Sequence, residues 1–135
     1  MKIYIAASFT SRDRIRPLAD KLWQSGYEIV STWINETKRP SEMDMTLFHR
    51  KLAIKDLAEV KSADLLIVDT LDSRSGGGKS VEFGFALGKF QTTLIYRVGP
   101  ATNVFHQLVD GAFDNWDQLI DYLEVSHAVH SSERT

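Results

Sequence analysis

Residues 63–89 read ADLLIVDTLDSRSGGGKSVEFGFALGK, and this stretch decides the fold class. Leu65, Leu66, Ile67 and Val68 form an unbroken apolar run, as a central parallel strand covered on both faces requires. Ser73 to Gly78 reads as a loop, and a helix is expected from about Lys79 to Lys89. Strand, loop and helix in that order make half of a βαβ unit, so the flanking segments are expected to repeat it.

They do. Toward the amino terminus, Ile3 to Ala7 is a short apolar run closed by Ser8. Ile15, Leu18, Ala19, Leu22 and Trp23 follow at helical spacing, with Thr10 and Asp13 resembling a capping box and Gly26 placed to stop the helix. Tyr27 to Thr32 reads as a second strand, Trp33 to Arg39 as a polar loop, and Ser41 with Asp44 as the start of a helix. That helix carries Met45, Phe48, Leu52 and Val60 on one stripe. Toward the carboxyl terminus come a strand at Thr92 to Tyr96, a connection through Pro100 and Asn103, and a last helix with Trp116, Leu119, Ile120 and Leu123. The alternation predicts a single α/β domain over residues 1–125, a doubly wound, Rossmann-like open parallel sheet of about five strands with helices on both faces. Ligands in such folds sit at the carboxyl ends of the strands. Residues 126–135 are polar and aperiodic, and this tail is expected to leave His127 and His130 solvated.

At 135 residues, 43% hydrophobic, the chain has the make-up of one domain able to bury its own core. Sixteen basic against eighteen acidic residues give a net charge of -2, which provides no positive field for nucleic acid or anionic lipid. There is no cysteine for a disulfide or a thiolate metal site, the opening MKIYIAASF lacks the features of a signal peptide, and no apolar run approaches a membrane span. A soluble cytoplasmic protein acting on a small molecule is the economical expectation.

Two acids stand in apolar surroundings. Glu82 is alone in VEFGFALG, whose Gly84 and Gly88 suggest close packing on the sheet. An acid in a helix's first turn is favoured by the macrodipole, by ~0.3–1 kcal/mol, and the same position at the sheet's carboxyl edge suits a catalytic carboxylate tuned by partial burial. Asp56 falls where the stripe Met45, Phe48, Leu52, Val60 calls for a core residue. With Glu59 three residues on it fits an N-cap, which requires the helix to break near Lys55. An unbroken helix from Ser41 sets Asp56 ~20 Å along the axis, out of reach of Glu82, so a catalytic pairing needs that kink.

The loop SGGGKS, Ser75 to Ser80, places Gly76, Gly78 and Lys79 at a helix N-terminus, either as a plain turn or as a seat for an anion. It is not a P-loop, because Ser73 stands where the first glycine is needed. Asn103 and His106 follow the fourth strand near the same edge and offer an amide and an imidazole, although a lone histidine is more often structural. Ser8 and Phe9 after the first strand and Trp33 after the second face the expected cleft, where the aromatics would stack a base or simply pack.

Taken together, KIYIAASF, DLAEVKSADLLIV, GGGKSVEFGFALGKF and NVFHQL resemble the nucleoside 2-deoxyribosyltransferase superfamily, which includes 2′-deoxynucleoside 5′-monophosphate N-glycosidases, over nearly the whole chain to about Leu123. The resemblance implies double displacement, with Glu82 attacking the anomeric carbon and Asp56 handling the proton of the leaving base or orienting Glu82. It implies no metal or organic cofactor, and a homodimer or higher even assembly with shared sites. In the monophosphate hydrolases, small hydroxyl residues and backbone amides surround the phosphate, and Ser8, Ser75, Gly76 and His106 fall near those places. Where the deoxyribosyltransferases usually carry a sugar-binding acid before the nucleophile, this chain has Gly76, Gly77 and Gly78. A carboxylate there would repel a phosphate, whereas glycines, Lys79 and Ser75 would accept one. The expected function is transfer of a deoxyribosyl group between nucleobases; the alternatives are hydrolysis of a nucleoside 5′-monophosphate and a nucleotide-binding module without catalysis.

Overall fold

The computed structural model describes residues 1–36, 44–72, 77–89 and 92–133, with residues 127–133 described by their backbone alone. Five parallel strands, β1 (Lys2–Ala6), β2 (Glu28–Ile29), β3 (Leu65–Asp69), β4 (Leu94–Val98) and β5 (Gly111–Phe113), form one sheet in the order β2-β1-β3-β4-β5. Four α-helices accompany them: α1 (Arg12–Gln24), α2 (Met45–Ser62), α3 (Gly78–Leu87) and α4 (Trp116–Glu133). The order reverses between β1 and β3, so the crevice above their carboxyl ends is where a doubly wound sheet takes its ligand. Among the described residues no helix is long and apolar enough to cross a membrane.

The apolar run of residues 65–69 is buried at every position, including Asp69, as a strand walled by helices on both faces demands. Right-handed crossovers put α1 on one face and α2 and α3, which pack on each other, on the opposite one. Asp69 fixes the first of these faces at the sheet's upper edge: its carboxylate accepts from Arg14 Nη1 of α1 at 2.8 Å and from Trp116 Nε1 of α4 at 2.7 Å. Gly26, at φ 98°, ends α1 as expected, with Tyr27 N–H donating to Leu22 O and Gly26 N–H to Trp23 O.

Several boundaries differ from the sequence reading. Thr10 does not cap α1; it lies in a 3-10 turn, Phe9–Ser11, that precedes the helix, and Asp13 pairs with Arg16 instead. The second strand is two residues long, because residues 32–35 turn as a 3-10 helix and take Trp33 out of the sheet. β4 begins two residues later than expected, and β5, too short to show a period, was not located. The helix of α4 continues through the boundary at Ser126 to Glu133, while the side chains of His127 and His130 lie outside the described residues. Gly84 has open space around it and does not mark close packing on the sheet; Phe83 and Ala86 make that contact.

The largest correction concerns α2. It is one unbroken helix, capped by Asp44, whose carboxylate accepts from Thr46 N and Leu47 N, so Asp56 is not an N-cap and there is no kink near Lys55. Only Val60 of this helix is buried, while Met45, Leu47 and Ile54 are exposed. The expected stripe therefore meets the sheet at its carboxyl end alone, and the first turns overhang the edge. Counted from Ser62, Asp56 is six residues up the helix, ~9 Å, which is within the ~16 Å height of a five-residue strand. Its place near the carboxyl end of α2, and not a kink, brings it to the crevice.

Candidate active site

Above β1 and β3 lies a cleft of about 210 Å³. Its floor is Ala7 and Ser8, one wall is Phe9 and Trp33, and Asp56 of α2 faces Glu82 of α3 across it. Trp33 is held by its indole N–H, which donates to Ile5 O at 2.8 Å. Phe9 is exposed at the rim, its ring centroid 6.5 Å from that of Trp33, with the Arg12 guanidinium 4.1 Å above it. The structure thus brings Ser8, Phe9, Trp33, Asp56, Gly78 and Glu82 into one place.

Glu82 is the fifth residue of α3 and lies beyond its first turn, which contains no acid. The macrodipole alone does not explain it. Its carboxylate Oε2 accepts from the Tyr4 hydroxyl at 2.5 Å. Burial raises its pKa to about 8; the Tyr4 hydrogen bond pulls the other way, and the negative charges of Asp56 and Glu59 add to the rise. Tyr4 itself is pushed up, chiefly by burial and then by the charge of Glu82, so it is a donor at any physiological pH.

Asp56 is raised to about 6, first by burial; Lys55 opposes the shift, and Glu36 and Glu59 reinforce it. Among the described residues its Oδ1 is buried and has no hydrogen-bond partner, which suits a group that meets a ligand's donor. A larger, mostly apolar cavity of about 510 Å³ opens between α2 and α3, lined by His49, Ala53, Leu57 and Val81, and shares Leu52, Asp56, Gly78 and Glu82 with the cleft. The two carboxylates stand where the cavities meet.

Other expected residues are placed elsewhere. Asn103 and His106 do not line the cleft: Asn103 Oδ1 caps a 3-10 turn by accepting from Phe105 N and His106 N, and His106 is buried with Nδ1 3.0 Å from Thr102 N. The His106 ring packs edge-on against Phe83, on the buried side of α3, and its pKa is lowered by burial and by Arg97 and Lys79. These are loop-fixing roles, in which both side chains use their polar atoms internally. Ser75 and Gly76 lie outside the described residues, whereas Gly77, at φ 89°, makes the left-handed turn into α3. Lys79 lines the cleft although it is buried, and donates to Asp72 O at 2.8 Å. Sequence reasoning overlooked Tyr4 and Glu36; the signal for Tyr4 was a hydroxyl inside an otherwise apolar central strand, while nothing local marks Glu36. Among the described residues no group of acids and histidines is arranged to hold a metal ion.

No family model and no curated protein matches the sequence. Solved structures do. A 2-deoxyribosyltransferase from the bacterium Bacillus psychrosaccharolyticus superposes with a TM-score of 0.71 at 17% identity, over 90% of this chain and 92% of that one. The CMP N-glycosidase BcmB of Clostridium botulinum superposes with a TM-score of 0.57 at 16% identity, over 93% of this chain and 99% of that one. The chain therefore has the fold shared by a 2-deoxyribosyltransferase and a CMP N-glycosidase.

Proposed function

We propose that this protein is an enzyme of the nucleoside 2-deoxyribosyltransferase superfamily that breaks the N-glycosidic bond of a deoxynucleoside and passes the deoxyribosyl group to another nucleobase. The observation that carries the reading is the meeting of Glu82 and Asp56 in one cleft, on separate helices, with different surroundings. Glu82 attacks the anomeric carbon, the bond to the base nitrogen breaks, and its electron pair leaves with the base. Asp56 gives that nitrogen a proton. The ester formed on Glu82 is resolved when a second base attacks the same carbon and surrenders its proton to Asp56. Phe9 and Trp33 supply an aromatic wall for the base, and Tyr4 holds the attacking carboxylate in place. No step calls for a metal or an organic cofactor.

The proton count agrees with this scheme. With pKa values of about 8 for Glu82 and about 6 for Asp56, the pair holds one proton at neutral pH, and the reaction requires one ionised carboxylate and one transferable proton. By those values the proton rests on Glu82 before a base is bound. A base hydrogen-bonded to Asp56 and a cationic sugar carbon beside Glu82 favour the opposite distribution.

One observation favours a second reading, hydrolysis of a 5′-monophosphate. Lys79 is a buried cation at the cleft, and among the described residues no carboxylate pairs with it. A homodimer that completes the open cleft belongs to either reading. The test is to incubate the protein with deoxynucleosides and their 5′-monophosphates, with and without a second free base, and follow base release by chromatography. Exchange between bases supports the transferase, and phosphate-dependent release that Lys79→Met weakens supports the hydrolase. Binding without any turnover would leave a nucleotide-binding module and overturn both.

A further inference from the structure

Asp56 lies one turn above the single buried residue of its helix, Val60, and its distance from the aromatic wall of the cleft depends on how α2 is held there. That wall is the 3-10 turn Thr32–Asn35, which carries Trp33. On its outer side the turn is tied to α1: Arg16 Nε donates to Ile34 O at 2.9 Å, and Arg12 donates to Glu36 O. On its inner side it is tied to α2 at both ends. Glu59 grips the start, accepting from Thr32 Oγ1 at 2.7 Å through one oxygen and from Thr32 N at 3.2 Å through the other. Lys55 grips the end by pairing with the Glu36 carboxylate. Residues 55 and 59 are four apart and share one face of the helix, with Asp56 on the neighbouring face.

We propose that Glu59 and Lys55 are positioning residues that bolt α2 to the Trp33 turn and so set the width of the cleft between Trp33 and Asp56. Above Val60 the helix also packs on α3, while Glu59 and Lys55 are its ties to the Trp33 turn. Neither residue touches the reacting atoms. Each acts through a neighbour, Glu59 through Thr32 and Lys55 through Glu36. The kinetic part of the inference rests on the reading of Asp56 as the proton donor; the structural part does not.

The test uses the full chain with Glu59→Ala and Lys55→Met combined, and a conservative pair, Glu59→Gln with Lys55→Arg, that can remake the contacts. Amide hydrogen exchange is followed along α2, together with exchange of the Trp33 indole N–H. Loss of the two bolts is expected to speed exchange for residues 50–56 and for the Trp33 indole by about tenfold, leave residues 60–62 protected, and spare the fold. Alongside it, kcat/KM for base release is expected to fall by about tenfold, with the conservative pair recovering most of the loss. Unchanged exchange in the first double variant overturns the proposal whether or not the protein turns anything over. Faster exchange with unchanged kcat/KM overturns its kinetic part. Wild-type protein that releases no base, with exchange responding as expected, removes the enzymatic reading and leaves the bolts standing.

Discussion

Glu82 and Asp56 face the same cleft from helices that are held in opposite ways. α3 lies on the sheet with Phe83 and Ala86 buried beneath it, and Glu82 is tied to the core strand β1 through Tyr4. α2 is buried at Val60 alone and otherwise leans on α3, with Asp56 Oδ1 left unpartnered among the described residues. The carboxylate that must attack one carbon in one direction is fixed by the scaffold. The one that must follow a proton onto a base and back again sits on a helix that leans on α3 and is tied to the Trp33 turn by two side chains. Two acids of similar intrinsic strength thereby acquire different tasks from their mountings.

The contrast is broken most directly at Glu82. Glu82→Gln is expected to lower base release by more than about a thousandfold while leaving the fold intact, because no other group can form the glycosyl ester; residual activity near wild type, measured by single-turnover chromatography, would remove Glu82 from the chemistry. Asp56→Asn is expected to cost about a hundredfold, the usual scale of a lost general acid, and the loss should be smaller for substrates whose base leaves easily. If the two variants lose activity equally across leaving groups, the division of labour is wrong.

Tyr4→Phe sharpens the comparison. The hydroxyl favours the ionised form of Glu82, so its removal is expected to raise the Glu82 pKa above about 8 and to reduce turnover at neutral pH by about tenfold, the scale of a hydrogen bond to a charged group. The wild-type pH profile should be a bell with limbs near pH 6 and pH 8: below the first both acids are protonated and no nucleophile exists, and above the second both are ionised and no proton is available. Tyr4→Phe is expected to move a limb of that bell while Asp56→Asn abolishes the bell shape.

The smallest expected effect is on stability. A carboxyl whose folded pKa is raised from 4.5 to about 8 favours folding when protonated, so its contribution is complete below pH 4.5 and is lost as the pH rises through 8. Denaturant midpoints of the wild type are expected to decline over that window, and Glu82→Gln should flatten the decline and be the more stable protein at pH 8. An unchanged slope would mean that Glu82 is solvated in the folded protein.

Much of this was legible in the chain. The run Leu65 to Val68, the helix after the glycine loop and the stop at Gly26 each follow from local chemistry, and so do Glu82 and Asp56 as acids in apolar company. What misled was arithmetic along one helix. Spacing gave the length of α2 and the position of Asp56 on it, but not where the sheet edge crosses it, so an unbroken helix looked incompatible with a shared cleft. The same blindness put Asn103 and His106 at the site, when each is consumed by its own turn.

By itself, then, the sequence determined the alternating strands and helices, the doubly wound class and the two acids worth attention, because periodicity and turn chemistry act over a few residues. Only the tertiary structure decided that Tyr4 meets Glu82 across 78 positions, that Glu59 and Lys55 bolt α2 to the Trp33 turn, and that the seating of α2 against the sheet places Asp56 in the cleft. Those are distances between elements, set by how the core packs, and no local pattern encodes them.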